Sequence, residues 1–380
     1  MPDPVYLDHN ATTPVLPAVI DAMLPWLTQH FGNPSSNHIY GYRTREAVAQ
    51  ARVQIASLID CQPEEIFFTS GGTEANNLAI RGVVAARTER SHIVTSVIEH
   101  PATLVPCSYL EKHGCEVDVV SVDETGMVNP GDLESHLCDN TALVTVMHAN
   151  SETGTLQPIQ EIAAVAHRYR ALVHTDAAQT TGKIIYSVEE LGIDLLSIVG
   201  HKMYAPKGIG ALYVRNGTAI AAQMLGGGHE QGLRSGTENV PYIVALGKAC
   251  EIARNDAHME QTRVSQLRDG LWHALHNEIP GLALNGHPSR RLPNTLNIRF
   301  PDVSGNAILA NAPEIAASTG SACHAEDESA SKVIRAMGLS ESEALGSVRL
   351  SLGRGTTAAE VGIAAKSLVR AYGVVSKEAR

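Results

Sequence analysis

One pattern dominates residues 93–214 and leaves few architectures open. Brief runs rich in Val, Ile and Leu, each followed by a polar or glycine-bearing turn, alternate with segments of helical spacing. The runs fall at 93–98, 117–122, 143–147, 172–175, 195–199 and 211–214. They are too short for helices, and their apolar residues are continuous rather than alternating, as in strands buried on both faces. Around them, 45–59 sets Val48, Ala51, Ile55, Leu58 and Ile59 on one stripe, and 159–170 keeps the same period. This alternation predicts an α/β fold with a mainly parallel sheet flanked by helices. After Thr237 the texture changes: 240–276 reads as one long helix, Gly, Pro and Asn punctuate 281–299, and a smaller α/β segment follows. The expected organisation is a large domain of 15–260 and a small domain made of 1–14 together with 261–380.

Composition excludes several classes. The 380 residues are 44% hydrophobic and 18% charged, enough to bury a sizeable core. Lys and Arg number 29 against 40 Asp and Glu, a net charge of −11 that repels phosphate backbones and anionic membranes. With aromatics at 4%, base-stacking platforms are absent too, so neither nucleic acid nor membrane is an expected partner. Met1-Pro2-Asp3-Pro4 lacks the basic and apolar regions of a secretory signal, and no window of about 18 uncharged apolar residues occurs. The six cysteines make no Cys-x-x-Cys pair and the 17 histidines no H-E-x-x-H, so neither a disulfide framework nor a metal centre is expected. The reading is a reduced, cytoplasmic protein.

The chemistry sits where strands end. Lys202 closes Ser197-Ile198-Val199-Gly200-His201-Lys202. Most lysines are solvated; one held at the end of a buried strand loses hydration and gains nucleophilicity, as covalent catalysis by an amine requires. Asp176 ends another strand in Val173-His174-Thr175-Asp176-Ala177-Ala178-Gln179. It suits either a helix cap or a carboxylate partner for a protonated ring nitrogen, the pair that makes pyridoxal phosphate (PLP) an electron sink. Ser70-Gly71-Gly72-Thr73-Glu74 precedes a helical run, where backbone N–H groups can face an anion or simply make a capped turn. His100 follows a further strand and reads as a capping residue or as a ring stacked on a flat cofactor with an acid–base role.

Taken in order, these segments together with Glu99-His100, His148-Ala149-Asn150, Gly200-His201-Lys202 and Arg234-Ser235-Gly236-Thr237-Glu238 resemble the cysteine desulfurases and selenocysteine lyases. That family comprises fold-type-I, class V PLP enzymes. The likeness extends to Tyr6-Leu7-Asp8-His9-Asn10-Ala11-Thr12-Thr13-Pro14, to Gly320-Ser321-Ala322-Cys323 and to Arg349-Leu350-Ser351-Leu352-Gly353-Arg354, covering nearly the whole chain. The resemblance implies that Lys202 binds PLP covalently and moves the substrate's Cα proton. Asp176 would hold the ring nitrogen, Gln179 the ring hydroxyl, and His100 the ring face. Gly72, Thr73 and His201 would hold the phosphate, with Thr237 reaching the phosphate of a partner subunit in a homodimer. Asn150 would lie beside cofactor and substrate, and Arg354 would bind the substrate carboxylate. Cys323 would accept the sulfur of L-cysteine as a persulfide, leave L-alanine, and pass sulfur to an acceptor protein, with iron–sulfur cluster assembly or tRNA thiolation among the routes open. The other five cysteines read as structural.

Two departures bear on these expectations. Val199 stands where many desulfurases carry a phosphate-binding serine, so the phosphate would rely on backbone N–H groups, Thr73 and His201. Glu326-Asp327-Glu328 follows Cys323, and like charges beside a thiol oppose thiolate formation. Val199 and Cys323-His324 also resemble selenocysteine lyases, which keeps L-selenocysteine as the alternative substrate.

Overall fold

The computed structural model describes residues 3–320 and 330–378. Its strands are β1 (Val5–Tyr6), β2 (Ile66–Thr69), β3 (His92–Ser96), β4 (Glu116–Val120), β5 (Thr141–Thr145), β6 (Leu172–Asp176), β7 (Leu195–Val199), β8 (Gly210–Val214), β9 (Ala283–Asn285), β10 (Thr295–Arg299), β11 (Ile315–Ala316) and β12 (Ser347–Ser351). Seven of them form the main sheet in the order β2-β8-β7-β6-β5-β3-β4. Its β3–β7 pairings are parallel, and β8 runs against both β7 and β2. The six expected strands are all present, with ends displaced by up to two residues. At β5 the cause is visible: Thr141 is polar yet fully buried, because its hydroxyl bonds His92 Nδ1 at 2.9 Å. Strand β2 escaped the pattern, being four residues long behind the acidic turn Pro63–Glu65.

A second, three-stranded antiparallel sheet has the order β12-β10-β9, and β1 pairs in parallel with β11. The two largest hydrophobic cores follow this division. One packs both helices and sheet around Ile55, Val94, Val144, Leu196 and Ile198; the other gathers Leu7, Leu271, Leu275, Ile298, Val348, Leu350 and Leu368. The 39-residue helix Val240–Glu278 serves both, giving Ile243, Leu246 and Cys250 to the first and Val264, Leu271 and Leu275 to the second. Full burial of each such leucine is worth about 1.5–3 kcal/mol, so both halves hold this helix firmly. Leu7 belongs to the second core although residues 9–13 run back to the main sheet, where the Thr13 N–H donates to the carbonyl of His201 at 3.0 Å. That crossing brings the chain's first residues to the mouth of the main sheet.

Candidate active site

The carboxyl ends of β2, β3, β5, β6 and β7 converge on one cavity of about 300 Å³, the place where open α/β sheets ordinarily bind ligands. Gly72, Thr73, His100, Asp176, Gln179, His201 and Lys202 line it. Each arrives by a short route from a strand end. Strand β7 runs into a single 3-10 turn, Gly200–Lys202, which turns His201 and Lys202 into the cavity. Strand β2 leads to the 15-residue helix Gly72–Ala86, capped by Gly71 at φ 147°, a conformation that favours glycine.

Gly72 itself has no room for a side chain: a Cβ there would lie 2.5 Å from Val199 Cγ2. Gly72 and Thr73, the first two residues of the helix, both line the cavity. Burial and the neighbouring Lys202 and Lys207 charges push the His201 imidazole down to about 4, so it is neutral at pH 7. Its Nδ1 lies 3.1 Å from Thr12 Oγ1. Val199 lines the same wall and offers no donor.

The opposite end of the cavity carries a buried carboxylate. Asp176 accepts from Asn76 Nδ2 at 2.7 Å and from the Ala178 N–H at 2.9 Å, and among the described residues no Lys or Arg pairs with it. Its charge is held by neutral donors and remains directed at the cavity. His100 combines both roles read from the sequence. It caps the helix Pro101–Glu111 by accepting the Ala102 N–H on Nδ1 at 3.0 Å, and it lines the cavity. Burial lowers its proton affinity, against the pull of Asp176, leaving a neutral ring whose proton is on Nε2. Lys202 Nζ donates to the carbonyls of Asn10 and Ala11 at 2.6 and 2.7 Å. Gln179 gives its Nε2 to the same Asn10 carbonyl at 3.0 Å and receives Lys183 Nζ on Oε1 at 2.7 Å.

Asn150 and Arg354 do not line this cavity, and neither does Thr237, which was expected at a partner subunit's phosphate. Asn150 is buried behind the wall formed by Met147, Ala149 and Ser151. Its Oδ1 accepts the N–H groups of Glu152 and Thr153 at 2.8 and 3.0 Å, and its Nδ2 donates to the Ile98 carbonyl at 3.2 Å, so its amide holds a turn. Thr237 is exposed in a separate cleft with Ser70, Arg234 and Glu238. Arg354 pairs with Asp256 and lines a narrow cleft with Tyr204 and Glu260; it lies just past the end of β12. Cys323 lies outside the described residues. Among the other cysteines, burial pushes the thiols of Cys61 and Cys107 up to about 12 and that of Cys250 higher still, which suits structural roles.

The guanidinium that does reach the cavity is Arg349, on β12. Its Nη2 pairs with Asp8 Oδ1 at 2.7 Å, its Nη1 donates to the Ser151 carbonyl at 3.2 Å, and its buried Nε has no partner among the described residues. A usable sequence signal existed. Val348, Leu350 and Leu352 fill the second core, so strand alternation turns Arg349 and Ser351 the other way. Asn10 was also missed as a site residue; it lines the cavity from the amino-terminal segment.

The donor set suits PLP. A helix start with Thr73 and His201 fits a phosphate, a buried carboxylate held by neutral donors fits a protonated ring nitrogen, and a lysine shares the cavity with both. The Aminotransferase class-V family model matches residues 5–363. The chain belongs to the class-V aminotransferase family. It is a PLP-dependent enzyme of that family. Among its class-V relatives, the cysteine desulfurase IscS of Dictyoglomus turgidum is 47% identical over 356 residues, 93% of this chain and 90% of that protein. A cysteine desulfurase IscS of Methanosarcina thermophila is 45% identical over 360 residues, 94% of this chain and 89% of that protein. A solved NifS-like protein superposes with a TM-score of 0.90 at 35% identity, covering 98% of this chain and all of that one. A structure of SspA in complex with cysteine gives 0.83 at 38%, covering 92% and 98%.

Proposed function

We infer that the chain is a cysteine desulfurase that takes sulfur from L-cysteine and leaves L-alanine. The observation that carries this is the single cavity in which Lys202, Asp176 and a helix start stand together under the buried fork of Arg349. PLP, when bound there, supplies the sink for the electron pair released at the substrate's Cα. Lys202 would hold it covalently, and its freed amine would then take the Cα proton. Asp176 would keep negative charge at the ring nitrogen, Gln179 would bond the ring hydroxyl and His100 would cover the ring. Gly72, Thr73 and His201 would hold the phosphate.

Arg349 replaces Arg354 in this assignment as the group that binds the substrate carboxylate. A planar fork already ordered by Asp8 matches that carboxylate's geometry. Asn150 acts indirectly, by fixing the turn that presents Ser151 to the cavity. Cys323 is the proposed sulfur acceptor: its thiolate attacks the substrate sulfur, the C–S bond breaks, and the sulfur stays on Cys323 as a persulfide while the carbon skeleton is protonated and leaves as alanine. Thr237, exposed and away from this chain's cavity, is available to a second copy, and a homodimer is part of this reading. The exchange of cores along Val240–Glu278 supports a division near residue 260 with residues 1–14 joined to the later half. No helix of the described residues is long and apolar enough to cross a membrane.

The test is alanine release from L-cysteine and from L-selenocysteine, for the PLP-loaded wild type and for Cys323→Ala. Cysteine turnover that vanishes in the variant is the expected result. Turnover of selenocysteine alone, surviving the substitution, overturns the reading in favour of a selenocysteine lyase.

A further inference from the structure

Lys183 takes no part in the chemistry described above, yet its ammonium lies beside the cavity on a half-buried side chain. Its Nζ donates to Gln179 Oε1 at 2.7 Å and to Asn10 Oδ1 at 3.0 Å, and among the described residues no carboxylate pairs with it. An ammonium that is partly desolvated and has no carboxylate beside it is costly, and desolvation together with the Lys202 and Arg349 charges holds its proton affinity well below that of a solvated lysine. The charged and titratable groups that bear on it are Lys202, Arg349 and His9. What the position provides is direction. Gln179 has two different ends, and the groups around it sort them: the Asn10 carbonyl can only accept, so it takes Nε2 at 3.0 Å, and Lys183 supplies the donor that Oε1 needs. One N–H of Nε2 then remains for the cavity. Asn10 is fixed by the same lysine, and its carbonyl also receives Lys202 Nζ at 2.6 Å.

We propose that Lys183 is a positioning residue that locks the Gln179 amide with its N–H toward the cofactor ring hydroxyl, and so sets the proton affinity at the Lys202–PLP link. This rests on the assignment of Gln179 and Lys202 made above. Without Lys183, the buried Oε1 has no donor and the amide turns to find one. The ring hydroxyl oxygen then loses its donor, becomes more basic, and holds the shared proton of the link more tightly.

The experiment uses the PLP-loaded full chain and follows its visible absorbance against pH in wild type, Lys183→Met, Lys183→Arg, Gln179→Leu and the double variant Lys183→Met/Gln179→Leu. Lys183→Met and Gln179→Leu should each raise the midpoint by about one pH unit, a tenfold change in proton affinity. The double variant should go no further than Gln179→Leu alone, since both act through one amide. Lys183→Arg, which keeps the donor, should stay near the wild-type midpoint. An unmoved midpoint in Lys183→Met overturns the proposal, and so does a shift that adds in full to that of Gln179→Leu. If Lys183→Met does not fold, a Lys183→Arg midpoint matching that of Gln179→Leu overturns it equally. Borohydride reduction that fails to fix PLP to Lys202 in the wild type would count against the cofactor assignment instead, which separates the two failures.

Discussion

The cavity has two walls of different origin. One is built by the main sheet, from Gly72 through His100 and Asp176 to Lys202, each within a few residues of a strand end. The other comes from residues 8–11 and β12, segments held together by the Asp8–Arg349 ion pair and by the Asn10 N–H to Ser351 Oγ at 3.0 Å. In the proposed function the first wall would hold the cofactor, and its parts are local to one sheet. The second would position the substrate, and its parts meet only through tertiary pairing. Chemistry is thus anchored on the rigid element, while recognition depends on how the two halves of the molecule close.

The sharpest test of the first wall is Lys202→Ala in the PLP-supplemented enzyme. Alanine release should fall by roughly three orders of magnitude or more, with folding retained by circular dichroism. A variant within tenfold of wild type would show that the sheet wall is not where catalysis is anchored. Next comes the second wall. Arg349→Lys keeps a charge for Asp8 but loses the planar fork, and kcat/KM for L-cysteine should drop about 100-fold, chiefly through KM. Arg354→Met should stay within about threefold. The reverse order of effects would return the carboxylate site to Arg354.

Both walls should weaken in acid, since burial also pushes His9, on the second wall, down to about 4. His148 and His174, fully buried in the sheet half, are pushed down to about 4 by desolvation. Their folded affinities lie below the unfolded value near 6.5, so the unfolded chain binds the extra protons. Stability present above pH 6.5 is lost progressively as pH falls toward 4, by about 2 kcal/mol per histidine at pH 5. Denaturant midpoints for wild type and His148→Gln at pH 7 and pH 5 check this: the variant should lose less on acidification. The smallest effect concerns the phosphate corner. Val199→Ser adds a donor where the wall has none, and PLP should bind up to about tenfold more tightly, read by absorbance titration. Binding unchanged or weaker would mean that the helix start, Thr73 and His201 already satisfy the phosphate.

Legibility from sequence followed the same division. Asp176 and Lys202 could be read because a buried apolar run announces its strand, and the polar residue that ends it stands out. The mixed sheet could not be read in full, since β2 is only Ile66–Thr69 and its partner β8 lies far along the chain. Arg349 and Arg354 share one motif; the alternation of Val348, Leu350 and Leu352 marks Arg349 as facing away from the core, while Arg354 lies past the end of β12. Asn150 was named only through the family resemblance. Its amide is consumed by a local turn, as Asn side chains commonly are. Lys183 carried no signal at all, because its partners Asn10 and Gln179 lie on segments 173 and 4 residues away.

The Asp8–Arg349 contact joins residues 341 positions apart, and that separation has a consequence for biosynthesis. Protein emerges from the ribosome in order, and early domains fold while later ones are still being made. The main sheet can assemble during translation, but residues 8–11 must wait for β12 before their wall can close. A newly made copy therefore passes through an interval with a finished sheet and an open pocket, and the substrate side of that pocket is completed only at the last stage of synthesis.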